Sequence, residues 1–81
     1  MKGKRVYLNS DRELLLASGD YGKNSLGSWQ ARPPRGHIGS LAEHNVIENE
    51  DGTITVSPSI LVTCGDDRWH GYLEKGIWRE V

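Results

Sequence analysis

"VIENEDGTITVSPSILVTCGDDRWHGYLEKGIWREV", Val46 to Val81, decides the fold class, because it carries two hairpin signals within one β-rich run. Asp51-Gly52 stands between two strand-like segments, and an Asp-Gly pair favours a tight hairpin in which both turn positions take positive φ. Thr53-Ile54-Thr55-Val56 alternates, which points Ile54 and Val56 inward. Pro58 offers no N–H to a ladder and is expected to end or edge that strand, with Ile60 to Thr63 starting the next. Trp69 to Val81 reads as a closing hairpin turning at Lys75-Gly76. In that register Leu73 faces Trp78, Tyr72 faces Arg79, and His70 comes opposite Val81. Trp69, Leu73 and Trp78 then share one face, while His70, Tyr72, Ile77 and Val81 share the other. A sheet apolar on both faces needs two covers, and 81 residues hold little material for the second. The second face is therefore expected to meet a ligand or another subunit.

Working outward, Arg5 to Asn9 suits a first strand. Ser10 and Glu13 have the spacing of a capping box, which predicts a helix over about residues 11–18 with Gly19 as its stop. Leu14-Leu15-Leu16 fits a buried strand equally well, since adjacent apolar residues show no period. Asp20 to Ser28 reads as a loop and Trp29 to Arg32 as a short strand ended by Pro33-Pro34. The glycines around His37 and Ile38 suggest a tight turn with a close backbone approach, and Leu41 to His44 makes one helical turn at most. The expected fold is a single α+β domain over residues 1–81. Antiparallel strands dominate it, with a short N-terminal helix and a C-terminal β-hairpin.

Lys and Arg total 10 against 11 Asp and Glu, a formal charge of −1, so no overall basic footprint points to a phosphate backbone. Duplex nucleic acid is not expected as a partner. One cysteine makes no intrachain disulfide, and the basic N-terminus has no apolar run behind it. No stretch approaches the length of a membrane span, so a cytosolic, unprocessed protein is expected.

His37, His44, Cys64 and His70 are donors of the kind zinc accepts, with Asp66 or Asp67 as supplements, but no pair has the close spacing usual in structural zinc sites. The plain alternative is a buried thiol and three histidines making ordinary hydrogen bonds. Cys64 with His70 invites a nucleophile and general base, although no third orienting group is identifiable, and a core thiol accounts for the cysteine more simply. Asp66-Asp67 fits a polar turn, and Ser57 and Ser59 lack the elbow that exposes a serine nucleophile. Arg32, Arg35, Arg68 and Arg79 beside Trp29, Trp69, Trp78 and Tyr72 are more suggestive. Aromatic faces stack on bases and guanidinium groups clamp phosphates, although each ring also suits a core. No motif specifying a reaction occurs.

The stretches "GHIGSLAEHNVIENEDGTITVSPSI" and "WHGYLEKGIW" resemble a family of small phage and bacterial proteins with a domain of unknown function, which share a D-G-T-I-T-x-S-P-S-I core and a closing aromatic hairpin. The resemblance covers about residues 29–81 and leaves residues 1–28 outside. It implies a compact β-rich domain of phage or prophage origin. Some bacterial members carry a Cys-rich segment where this chain has "RPPRGHIG", and a later Cys and His resembling Cys64 and His70; here only His37 is left of the first segment.

The resemblance, taken with the missing catalytic motifs, leads to the expectation of a non-enzymatic phage counter-defence protein. It would sequester a small nucleotide-derived host signal in the host cytosol. The expected pocket lies between subunits of a homo-oligomer, with Trp29, Trp69 and Tyr72 stacking, Arg35 and Arg68 meeting negative charge, and His37 and His70 donating hydrogen bonds. Two alternatives stand beside it. One is an inhibitor that sets the same aromatic surface against a host defence enzyme. The other is a zinc-stabilised domain or zinc hydrolase centred on His37, Cys64 and His70; the main reading needs no cofactor.

Overall fold

A computed structural model describes residues 1–81 as an all-β protein of two four-stranded sheets. The first holds β1 (Lys4–Arg5), β2 (Asp20–Lys23), β3 (Trp29–Ala31) and β4 (Gly39–Ser40), in that order across the sheet. The second holds β5 (Asn45–Glu48), β6 (Ile54–Cys64), β7 (Asp67–Glu74) and β8 (Ile77–Glu80), again in chain order. Every named pair is antiparallel except β1 with β2. No helix is long and apolar enough to cross a membrane.

The N-terminal segment joins the sheets. Lys2 bridges Ile77, the Trp78 N–H donates to the Met1 carbonyl at 2.7 Å, and the Gly3 N–H donates to the Gly76 carbonyl at 2.7 Å. One residue later the segment changes partner: the Lys4 N–H reaches the Gly19 carbonyl at 3.2 Å and the Val6 N–H the Tyr21 carbonyl at 2.8 Å. The changeover needs glycine. A Cβ at residue 3 would stand 2.7 Å from the Gly19 oxygen, 2.8 Å from Trp78 Nε1 and 3.1 Å from the Gly76 oxygen.

Between the sheets lies the core. The first sheet contributes Tyr21 and Ala31, Leu41 follows β4, and the second contributes Ile54, Val56, Ile60, Trp69, Leu73 and Trp78. Trp69 and Trp78 meet edge to face, ring centroids 5.2 Å apart at 87°, the arrangement favoured by aromatic quadrupoles. The buried Trp78 indole N–H donates to the Gly19 carbonyl at 2.9 Å, which satisfies the one polar atom of that ring.

The closing hairpin has the expected register, Leu73 opposite Trp78 and Tyr72 opposite Arg79, and Lys75 and Gly76 both take positive φ. Its inward face is Trp69, Leu73 and Trp78, as alternation requires, and Ile54 and Val56 also point inward.

The α+β expectation is overturned: no helix forms over residues 11–18. Asn9 supplies the reason, since its side-chain oxygen accepts the N–H groups of Asp11 and Glu13, each at 2.9 Å. That local bonding competes with helix propagation, and Arg12 completes the turn at φ 61°, outside the right-handed helical region. Leu14-Leu15-Leu16 is likewise no strand; only Leu16 of the three is buried.

Other boundaries also move. Asp20 to Lys23 is a strand, because its partner Trp29–Ala31 is close enough in sequence to close a hairpin. β1 stops at Arg5 rather than running to Asn9. Pro58 does not end its strand: β6 runs through it, and the register shifts between Val56 and Ile60, where a residue without an N–H is tolerated. The Asp51-Gly52 connection spans Asn49 to Thr53, with the Gly52 N–H donating to the Asn49 carbonyl at 3.0 Å and only Gly52, at φ 88°, in the left-handed region. It is a type I turn followed by a glycine bulge rather than the tight two-residue turn.

Gly3→Ala is expected to lower stability by about 1–3 kcal/mol, the usual cost of overpacking. Lys2→Ala, an exposed change one residue away, should stay within about 0.5 kcal/mol. Urea denaturation of the two variants measures the contrast.

Candidate functional site

Strand β1 delivers Arg5 to a place where three elements meet. Its guanidinium carbon lies 4.8 Å from the Tyr7 ring centroid and 4.9 Å from that of Trp29, so the cation sits against two aromatic rings. Nη1 donates to Glu48 Oε2 at 3.0 Å and to the Gly52 carbonyl at 3.2 Å, while Nε is buried without a hydrogen-bond partner. The β2–β3 register sets Lys23 opposite Trp29, with its ammonium 5.2 Å from the same ring and 4.0 Å from Glu48 Oε1.

A cleft of about 520 Å³ opens beside this cluster, lined by Arg5, Tyr7, Arg12, Lys23 and Asn24 among others. The Asn9 turn holds Arg12 there in its left-handed conformation, and Arg12 makes no ion pair. Along Arg5 and Tyr7 a second cleft of about 410 Å³ adjoins it, lined by Lys2, Lys4, Lys75, Tyr21 and Asp51 as well. Together the two clefts gather six of the ten Lys and Arg of a chain whose net charge is −1. The positive charge is localised even though the total is balanced.

Two carboxylates border this region. Arg5, first by its hydrogen bond and then by its charge, holds the Glu48 carboxyl below its ordinary range. Hydrogen bonds from Thr53, from Oγ1 at 2.6 Å and the backbone N–H at 3.0 Å, do the same for Asp51. Both are ionised at neutral pH and offset part of the cationic field. Burial, and secondarily Asp51, pushes the Tyr21 phenol up, which keeps it a neutral hydroxyl at the wall of the second cleft.

The residues expected from sequence do not form one pocket. Trp69 is 1 % exposed and belongs to the core, so its ring is closed to stacking. Arg68, His70 and Tyr72 alternate along the outward face of β7, opposite Thr63, Leu61 and Arg79 respectively. Tyr72 has the Arg79 guanidinium 4.9 Å from its centroid. Arg35 is exposed and pairs with Glu80 at 2.6 Å, and His37 is exposed. Of the expected residues only Trp29 lines a cavity, and it alone adjoins the cationic cluster. His37, Cys64 and His70 do not come together, and no group of three or more metal-ligating side chains gathers anywhere in the chain. Cys64 is exposed rather than buried, and the His70 ring hydrogen-bonds Ser59 Oγ at 2.9 Å.

Lys2, Lys4, Arg5, Tyr7 and Arg12 escaped the sequence reading. For Lys2, Lys4, Arg5 and Tyr7 the signal was the basic run "KGKR" followed two residues later by a tyrosine, a basic patch interleaved with an aromatic residue, while Arg12 carried no local signal.

The depressed Glu48 pKa carries a stability prediction. A carboxylate whose folded pKa lies below its unfolded value contributes above the unfolded value, near 4.5, and loses that contribution as pH falls through the folded value. Thermal melts from pH 6 downward are therefore expected to fall less steeply below about pH 4.5 in Glu48→Gln than in the parent protein. No family model, no curated protein and no solved structure matches this chain.

Proposed function

We propose that this protein is a non-enzymatic binding protein that sequesters a small nucleotide-derived ligand in the cleft lined by Arg5, Tyr7, Arg12 and Lys23. The observation that carries the reading is the Arg5 guanidinium packed against the Tyr7 and Trp29 rings, with Arg12 and Lys23 adding two cations within reach of one cleft. Tyr7 is 69 % exposed and offers a ring to a base, and the cations offer charge-assisted hydrogen bonds to a phosphate. The volume, about 520 Å³, lies within the usual range for small-molecule sites. One chain supplies this cleft, so binding here needs no pocket between subunits.

A role in phage counter-defence is supported by the family resemblance of residues 29–81, and sequestration of a host signal is the form of it that suits a cleft with no reactive constellation. A second reading, inhibition of a host defence enzyme, draws on the outward face of β6 to β8. There Leu61, Ile77 and Val81 are exposed around Tyr72 and His70. Leu61→Glu separates the two, since it would abolish inhibition and leave nucleotide binding intact.

Titration calorimetry with AMP and dTMP tests the main reading. Binding is expected, and Arg12→Ala and Lys23→Ala should each weaken it by about tenfold, the scale of one hydrogen bond to a charged group. No binding of either nucleotide, or an unchanged affinity in both variants, would overturn it.

A further inference from the structure

Resting on that reading, we infer that the ligand is a short single-stranded oligonucleotide, a dinucleotide or longer, whose phosphates occupy both adjoining clefts with a base on Tyr7 between them. Arg5 and Tyr7 line both clefts, so their side chains stand at a shared wall rather than at the end of a closed pocket. On one side lie Arg12 and Lys23, on the other Lys2, Lys4 and Lys75. A mononucleotide would use one of these sets and leave the other repelling itself beside an unfilled cavity. A linear polyanion uses both.

The opposing charges do not cancel this arrangement. In the second cleft the only acidic residue is Asp51, set against Lys2, Lys4, Arg5 and Lys75. In the first the lining has three cations and no acid, and the neighbouring Glu48, paired with Arg5 and Lys23, adds one negative charge. Each cleft therefore keeps a net positive balance of its own. The groove is too limited, and the whole chain too nearly neutral, for a long duplex footprint. An exposed aromatic ring flanked by cations is the arrangement by which single strands are held.

Tryptophan fluorescence titrations with dTMP and with the dinucleotide pTpT, at several salt concentrations, test the inference on the intact chain. The dinucleotide is expected to bind at least about tenfold more tightly and with a steeper salt dependence, by about 0.7 in log–log slope for each added phosphate contact. The double variant Lys4→Gln with Lys75→Gln should remove the advantage of pTpT while leaving dTMP affinity unchanged; an unaltered circular dichroism spectrum verifies its fold. Equal affinities for pTpT and dTMP, or a double variant that weakens both alike, would overturn the inference and leave the single-nucleotide reading standing. Failure of both probes to bind would overturn the inference together with the reading on which it rests.

Discussion

The Trp78 indole hydrogen bond to the Gly19 carbonyl is the contact on which the two sheets depend. Each sheet alone would present one apolar face to water, and four short strands cannot hide it. The indole spans the gap by packing its ring on Trp69 while its N–H satisfies a carbonyl at the root of β2. Directly above it, the segment from Met1 to Val6 exchanges β8 for β2 as partner, which is possible only because residue 3 has no side chain. A small domain with a thin core thereby replaces a second layer of material with one shared strand and one buried hydrogen bond.

That same segment positions the candidate site. Once Gly3 and Lys4 are tied to opposite sheets, Arg5 is committed to the space between Tyr7, Trp29 and Glu48, and its side chain is only 16 % exposed. Lys23 arrives from the β2–β3 hairpin and Arg12 from the turn that Asn9 organises. Three local solutions converge on one cleft. Their charges are held near one another at a cost, and Glu48 offsets part of that cost through its ion pairs with Arg5 and Lys23.

The C-terminal half was legible because its signals are local. The Lys75-Gly76 turn, the alternation of Trp69, Leu73 and Trp78, and the inward Ile54 and Val56 follow from period and turn chemistry alone. The N-terminal half was not, because its order depends on a side-chain acceptor that overrides a helix-start pattern and on strand pairing that no single segment displays. Ser10 to Glu13 has a helix-start pattern, but Asn9 just before it offers the same N–H groups a competing acceptor. Strand β2 exists through its pairing with β1 and β3, although "DYGK" taken alone reads as loop. The site suffered from the same limit. Alternation places Trp69 on the face of Leu73 and Trp78 but does not say whether that face meets core or ligand, and the structure assigns it to the core. Arg5 to Asn9 reads as a strand and the basic residues before it as a start without an apolar run; the nearness of Arg5 to Trp29, the ring that Lys23 also meets, appears once the sheet is assembled.

The shared strand would couple occupancy of the clefts to the integrity of the fold. Arg5 and Lys4, which face the two clefts, ride on the same few residues that clasp β8 to β2. Fraying of this segment would disturb the cleft and the seam together, because the same residues serve both. A guest that loses its contacts on fraying would thus act as a mechanical pin, raising the work needed to peel the first six residues away by an amount that grows with its free concentration relative to Kd.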